Sequence, residues 1–131
     1  LIADFFLQKD PIFARLNLDD EEFKLYQQIY RHLQLKAPVP DLVIYLQTPV
    51  DLLRKRVEKR NINYEQRIST EYLEKIAASY SNYFHNQHKS NVLIVNNENI
   101  DLLEDSSALK MMTERIMDIS SIREYFNPKL I

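Results

Sequence analysis

Not one of the 131 residues in this chain is glycine. Average usage of about 7% would supply roughly nine. Glycine is the residue that lets a backbone enter left-handed conformations and approach a ligand closely. Phosphate cradles of the P-loop type and the dinucleotide-binding fingerprint both depend on it. Neither can exist within this chain, so any anion must be held by side chains rather than by a glycine-rich loop.

Other features narrow the class. A hydrophobic fraction of 45% in 131 residues suits one domain spanning 1–131. Eight Tyr and six Phe argue against disorder, and the apolar runs are too short to cross a bilayer. Seventeen basic residues against nineteen acidic leave a net charge of -2, so no global field draws in nucleic acid or an anionic membrane. Without cysteine there is no disulfide framework, thiolate chemistry or Cys-based zinc site. No charged-then-apolar leader is visible, and a reducing cytoplasm is the expected setting. The apolar start, Leu1 to Phe6 without an initiator Met, predicts that the sequence begins inside a helix of a longer protein.

Apolar spacing at Ile2, Phe5 and Phe6 suggests a helix that Pro11 interrupts. A second helix is predicted from about Asp20, with Asp19 capping, Glu22 completing a capping box and Leu18 stapled onto Phe23. Its stripe is Phe23, Tyr26, Tyr30 and Leu33. The run Asp41 to Leu46 reads as a strand buried on both faces. Thr48 is then expected to cap a helix with Pro49 at its first position. Arg54, Lys55, Arg56, Lys59 and Arg60 crowd that helix, and a loop follows at Asn61 to Tyr64. Ser69 should cap a third long helix bearing Tyr72, Ile76, Tyr80 and Tyr83 or Phe84. Asn91 to Asn96 forms a second buried strand, and Ser106 opens a last helix with Leu109, Met112 and Ile116. The tail from Ser120 looks loosely organised. The expectation is an α/β layer fold, mostly helical, with two parallel strands at about 41–47 and 91–96. Two strands leave edges in need of neighbours, which points to further strands upstream.

Arg56 and Arg60 lie four apart, on one face of a helix, where two guanidinium groups can grip the oxygens of a polyphosphate. The bland alternative is a solvated basic helix end favoured by the macrodipole. Glu65 follows the basic stretch and can be aimed at a bound hydroxyl, or can be a surface acid paired with Arg67 or Lys59. Phe13 is either core or an aromatic surface for a base. His32, His85 and His88 are scattered, and His85 with His88 lacks a third ligand, so no metal site is expected. No nucleophile-elbow context surrounds any Ser, and hydrolysis has nothing to recommend it.

Pro40 to Leu46, then Thr48-Pro49, then Arg56-Val57-Glu58-Lys59-Arg60, Tyr64-Glu65-Gln66 and Glu71-Tyr72-Leu73-Glu74-Lys75 occur in that order. Together with Lys9 to Arg15 and Leu25 to Tyr30, they resemble the deoxynucleoside kinase family, especially bacterial members acting on purine deoxynucleosides. The resemblance runs to about Asp101. It implies a partial P-loop-kinase-like three-layer fold with a lid over about 54–67. Arg56 and Arg60 would close on the phosphates of ATP, Glu65 would hold the sugar 3′-hydroxyl, and Phe13 would pack on the acceptor base. Asn99, Ile100, Asp101 and Leu102 would line the adenine of ATP. The family's phosphate-binding loop, catalytic carboxylate and Glu-Arg-Ser segment have no counterpart here. The resemblance therefore implies a carboxy-terminal fragment of a kinase using ATP and Mg²⁺, inactive alone, homodimeric and cytoplasmic. A thymidylate-kinase-like fragment, which shares the Pro-Asp-Leu strand and Arg-rich lid, is the alternative within this fold. A helical interaction module with a merely solvated basic patch is the alternative outside it.

Overall fold

A computed structural model describes residues 1–4, 6–63, 65–87, 90–99, 102 and 104–128. Contacts gather into two compact units, Leu1–Val39 and Pro40–Ile131.

The first unit is helical. A 3-10 turn at Leu7–Lys9 leads into α1, Asp10–Asn17, and α2 spans Asp20–Gln34. Pro11 does not interrupt a helix, as its position suggested; it sits in the first turn of α1. There its missing N–H has no intrahelical acceptor to lose. The expected capping box at α2 is present in both directions. Glu22 N–H donates to Asp19 Oδ1 at 2.8 Å, and Asp19 N–H to Glu22 Oε2 at 3.0 Å. Tyr26 O–H donates to Asp10 Oδ2 at 2.6 Å, tying α2 to α1. Burial, then that bond to a carboxylate, raises the phenol's pKa well above its ordinary value. Leu33 of the expected stripe is exposed, as are Leu25 and Ile29 of α2.

The second unit is a sheet between helices. Its elements are β1 (Val43–Gln47), α3 (Val50–Arg60), α4 (Thr70–Asn82), β2 (Val92–Asn96), α5 (Ser106–Met117) and β3 (Arg123–Phe126). The strands are parallel in the order β1-β2-β3. The two expected strands are there, and the tail expected to be loosely organised contributes a third. The signal was weak because Arg-Glu-Tyr-Phe carries a carboxylate that the fold buries. Glu124 accepts from the backbone N–H groups of Ser120 and Ser121, each at 3.0 Å, and pairs with Arg115 at 2.9 Å. The Ser120 N–H leads the interactions that lower its pKa against the opposing effect of burial.

Strand sidedness departs from expectation in the same way. β2, paired on both edges, is buried on both faces, whereas β1 alternates, with Ile44 and Leu46 exposed. Leu93, Val95 and Phe126 pack with Ala108 of α5, joined by Met112 and Ile116. Tyr45, Ile94 and Tyr125 share a register row on the opposite face. There Tyr45 stacks on Phe84 with centroids 4.6 Å apart, and Arg123 Nε donates to the Phe84 carbonyl at 3.1 Å. Helices thus cover both faces, the layering expected.

Capping differs in detail. Ser69 caps α4 as expected, accepting from Tyr72 N–H at 3.1 Å. Ser106 opens α5 as expected, with Asp105 capping it by accepting from Ala108 N–H at 2.9 Å. Thr48 does not cap α3, whose N-cap is Pro49 with no side-chain bond.

Leu93 is fully buried and Ile44 is 39% exposed. Leu93→Ala is expected to destabilise the second unit by about 2–5 kcal/mol and Ile44→Ala by much less. Urea denaturation followed by circular dichroism checks this, and equal losses would contradict the assigned sidedness.

Candidate functional site

The segment expected to act as a lid, about 54–67, runs from within α3 into the loop that follows it. Asn61 closes the helix in the left-handed region at φ 50°, the only positive φ among the described residues. Asparagine tolerates that conformation better than other residues bearing a Cβ. A 3-10 turn at Glu65–Arg67 follows, and α4 starts at Thr70.

Two arginines bracket this loop. Arg54 donates through Nη1 to the Ile68 carbonyl and through Nε to Glu58 Oε1 at 3.2 Å. Arg60 donates through Nη2 to Glu65 Oε1. Glu65 is therefore paired neither with Arg67 nor with Lys59, the partners its sequence neighbourhood suggested. Its side chain is 12% exposed, and Oε2 is a buried oxygen without a hydrogen-bond partner among the described residues. Arg60 is largely exposed, and a guanidinium with five N–H donors retains most of them for another anion.

Arg56 points toward the sheet instead. Its Nη2 donates to the Asn97 carbonyl at 3.4 Å. Asn97, buried just past β2, also donates its backbone N–H to the Gln47 carbonyl at 2.9 Å and its Nδ2 to Thr48 Oγ1 at 3.3 Å. That long-range bond is what occupies the Thr48 hydroxyl in place of a cap. Asn97 thus joins the carboxyl ends of β1 and β2 to α3, a role no local pattern around it signalled.

A cleft of about 400 Å³ opens at the carboxyl ends of the three strands. This end of an open parallel sheet is where α/β folds bind ligands. Its lining mixes the polar Gln47, Thr48, Asn96, Glu98 and Asn127 with the apolar Pro49, Ile94 and Phe126 and the ring of Tyr125.

The structure brings Glu65 and Arg60 into contact and leaves Arg56 on Asn97. Asn99 is exposed beyond β2, Leu102 packs against the α5 core, and Ile100 and Asp101 lie outside the described residues. Phe13 is a partly exposed residue of α1, in the first unit. Of the two histidines weighed as a metal pair, His88 lies outside the described residues; among those described, no group of three His, Asp or Glu side chains has metal-binding geometry.

Comparison with known proteins gives the family context. A family model described as deoxynucleoside kinase matches residues 1–121. The chain is 35% identical over 80 residues to a deoxyguanosine kinase of Bacillus subtilis (strain 168), covering 61% of this chain and 39% of that protein. It is 26% identical over 140 residues to a deoxyadenosine kinase of Lactobacillus acidophilus, covering 92% and 65%. A Bacillus subtilis deoxyadenosine/deoxycytidine kinase is 25% identical over 115 residues, covering 82% and 53%. The chain therefore spans from 39% to 65% of the length of these relatives.

If the Arg54 tie holds the lid loop in place, Arg54→Gln should loosen the loop without unfolding the unit. Loss of a charge-assisted bond of about 1–3 kcal/mol should speed amide exchange at Glu65 and Ile68 by roughly ten- to a hundredfold. Hydrogen exchange read by NMR checks it, and unchanged protection at both amides would show that the tie does not hold the loop.

Proposed function

The chain belongs to the deoxynucleoside kinase family, and on that footing we propose that it supplies the lid and the donor-side end of the sheet to an enzyme that phosphorylates the 5′-hydroxyl of a purine deoxynucleoside. With the family shown, the thymidylate-kinase-like and helical-module alternatives fall away. The purine preference rests on the deoxyguanosine and deoxyadenosine kinases among its relatives.

The observation that carries the reading is the unpartnered Oε2 of Glu65 beside Arg60. A buried carboxylate oxygen without a donor costs about 1–3 kcal/mol, and a ligand hydroxyl would satisfy it. A carboxylate has only acceptor oxygens, so the group that satisfies Oε2 must bring a donor, as a hydroxyl does. In this reading Glu65 holds the sugar 3′-hydroxyl and Phe13 packs on the acceptor base. Arg56 and Arg60 meet the charge that develops on the transferred group, where fixed guanidinium donors act most strongly. Asn99, Ile100, Asp101 and Leu102 border the base of ATP.

ATP with Mg²⁺ supplies the phosphoryl group. The residues here suit its phosphates, through the two arginines, and not its metal, since no carboxylate cluster is found among the described residues. A chain without glycine has no phosphate-binding loop, so the 131 residues alone are proposed to transfer nothing. The proposed setting is cytoplasmic; no helix among the described residues is long and apolar enough to cross a membrane.

The test uses an amino-terminally extended form that carries a phosphate-binding loop, with the 131-residue chain as the inactive control. In the extended form Arg60→Ala should lower kcat, as for a contact made mainly in the transition state, and Glu65→Gln should chiefly raise KM for deoxyadenosine or deoxyguanosine. Normal kinetics in both variants, or activity in the control, would contradict these roles. The exposed Leu25, Ile29 and Leu33 of α2 support a homodimer. Light scattering at tens of micromolar should give twice the monomer mass, and a clean monomer would refute it.

A further inference from the structure

The family match ends at residue 121, and β3 begins at Arg123. One wall of the cleft at the strand ends, including Tyr125 and Asn127, thus comes from sequence beyond the match. Building on the kinase reading above, we propose that Tyr125 is a specificity-determining residue, the planar surface on which the purine base of the phosphate donor stacks.

Three observations lead there. The first is the chemistry of the cleft, whose volume of about 400 Å³ falls in the range of small-molecule sites. Its lining includes the Gln47 and Asn96 amides, the Thr48 side chain and the Glu98 carboxylate beside Pro49, Ile94 and Phe126, and neither Lys nor Arg. Such a lining repels phosphates and suits an uncharged ring whose edge both donates and accepts hydrogen bonds. An amino-bearing purine edge can donate to Glu98 and accept from an amide.

The second is the position of the cation. Arg56 reaches the carbonyl of Asn97, the residue between Asn96 and Glu98 of the lining. The charged end of a nucleotide therefore has its partner beside a cleft that itself holds no cation. Base and phosphates are sorted by where the protein keeps its arginines.

The third is how Tyr125 is held. Its ring is 60% exposed, yet it is not loose. The His85 ring lies 5.5 Å from it, centroid to centroid, and Tyr125 Oη is 3.3 Å from His85 Nδ1. His85 Nε2 is 2.9 Å from Gln47 Oε1. With Gln47 Oε1 accepting from Nε2–H, Nδ1 is the bare nitrogen, and the Tyr125 hydroxyl donates to it. One imidazole thereby orients two groups of the cleft, leaving the Gln47 amide N–H groups and a face of the phenol ring for a ligand. An aromatic fixed in this way stacks a base with little ordering left to do.

The experiment is an NMR titration of the 131-residue chain with adenosine, ATP and UTP. Bound adenosine and ATP are expected to show intermolecular Overhauser contacts between purine protons and the Tyr125 ring, with weaker binding of UTP. Tyr125→Leu should raise the Kd for ATP by about tenfold, the size of one base–aromatic stack. Tyr125→Phe should bind within about twofold of the parent, because it keeps the ring and loses only the bond to His85. A Phe variant as weak as the Leu variant would make Tyr125 a brace for His85 and overturn the proposal. So would ATP contacts elsewhere that miss the Tyr125 ring, unchanged affinity in Tyr125→Leu, or no purine binding by the folded parent chain. The parent chain alone decides the contact even where the Leu variant does not fold. Phosphoryl transfer by the extended enzyme tests the kinase reading separately, so a null result at Tyr125 alongside intact transfer would remove only this inference.

Discussion

Everything in the second unit hangs on the burial of β2. Val92, Leu93 and Val95 are fully enclosed and Ile94 nearly so, with a parallel strand on each edge and helices on both faces. Because side chains alternate along a strand, a slip of one residue would exchange the α5 face for the Tyr45 and Phe84 face and leave neither packed. The register set by this core also delivers Asn97 to the end of the sheet. There its backbone and side chain collect Gln47, Thr48 and Arg56. The placement of Arg56 is thus a consequence of core packing some distance along the chain.

The loop after α3 solves a different problem, that of holding an irregular segment without glycine. Asn61 takes the one left-handed position among the described residues, and Arg54 and Arg60 fasten the rest through a carbonyl and a carboxylate. With a net charge of only -2, such local pairing is the means by which this chain organises charge, since there is little overall field to do it. A bracketed loop also explains how Glu65 can be largely buried while one of its oxygens stays without a donor. The chain ties down the residue and leaves the atom open.

Parts of this were legible in the residues alone, and they share a physical character. The capping box of Asp19 and Glu22 and the Ser69 cap involve groups three residues apart, so the sequence contains both partners. The two apolar strands were equally plain, being continuous β-branched runs. Resemblance to deoxynucleoside kinases was carried by motifs in fixed order, and the family match extends over residues 1–121. The Arg56 and Arg60 pair could be seen as a pair, though not what each would touch.

What escaped sequence reasoning depended on partners far along the chain. Thr48 had every local credential of a cap, but Asn97, 49 residues away, occupies its hydroxyl. β3 lacks an apolar run, and only Ser120, Ser121 and Arg115 make a buried Glu124 tolerable. Tyr125 and Gln47 meet through His85, drawn from three separate elements. The sequence by itself determined α2 and α4 with their caps, the two apolar strands, the absence of any glycine-built phosphate loop and the family. Tertiary structure decided which strand face is buried, which residues wall the cleft and which lid groups are satisfied. The reason is that propensity and capping act over a few residues, whereas burial and hydrogen-bond competition are settled only once distant segments are side by side.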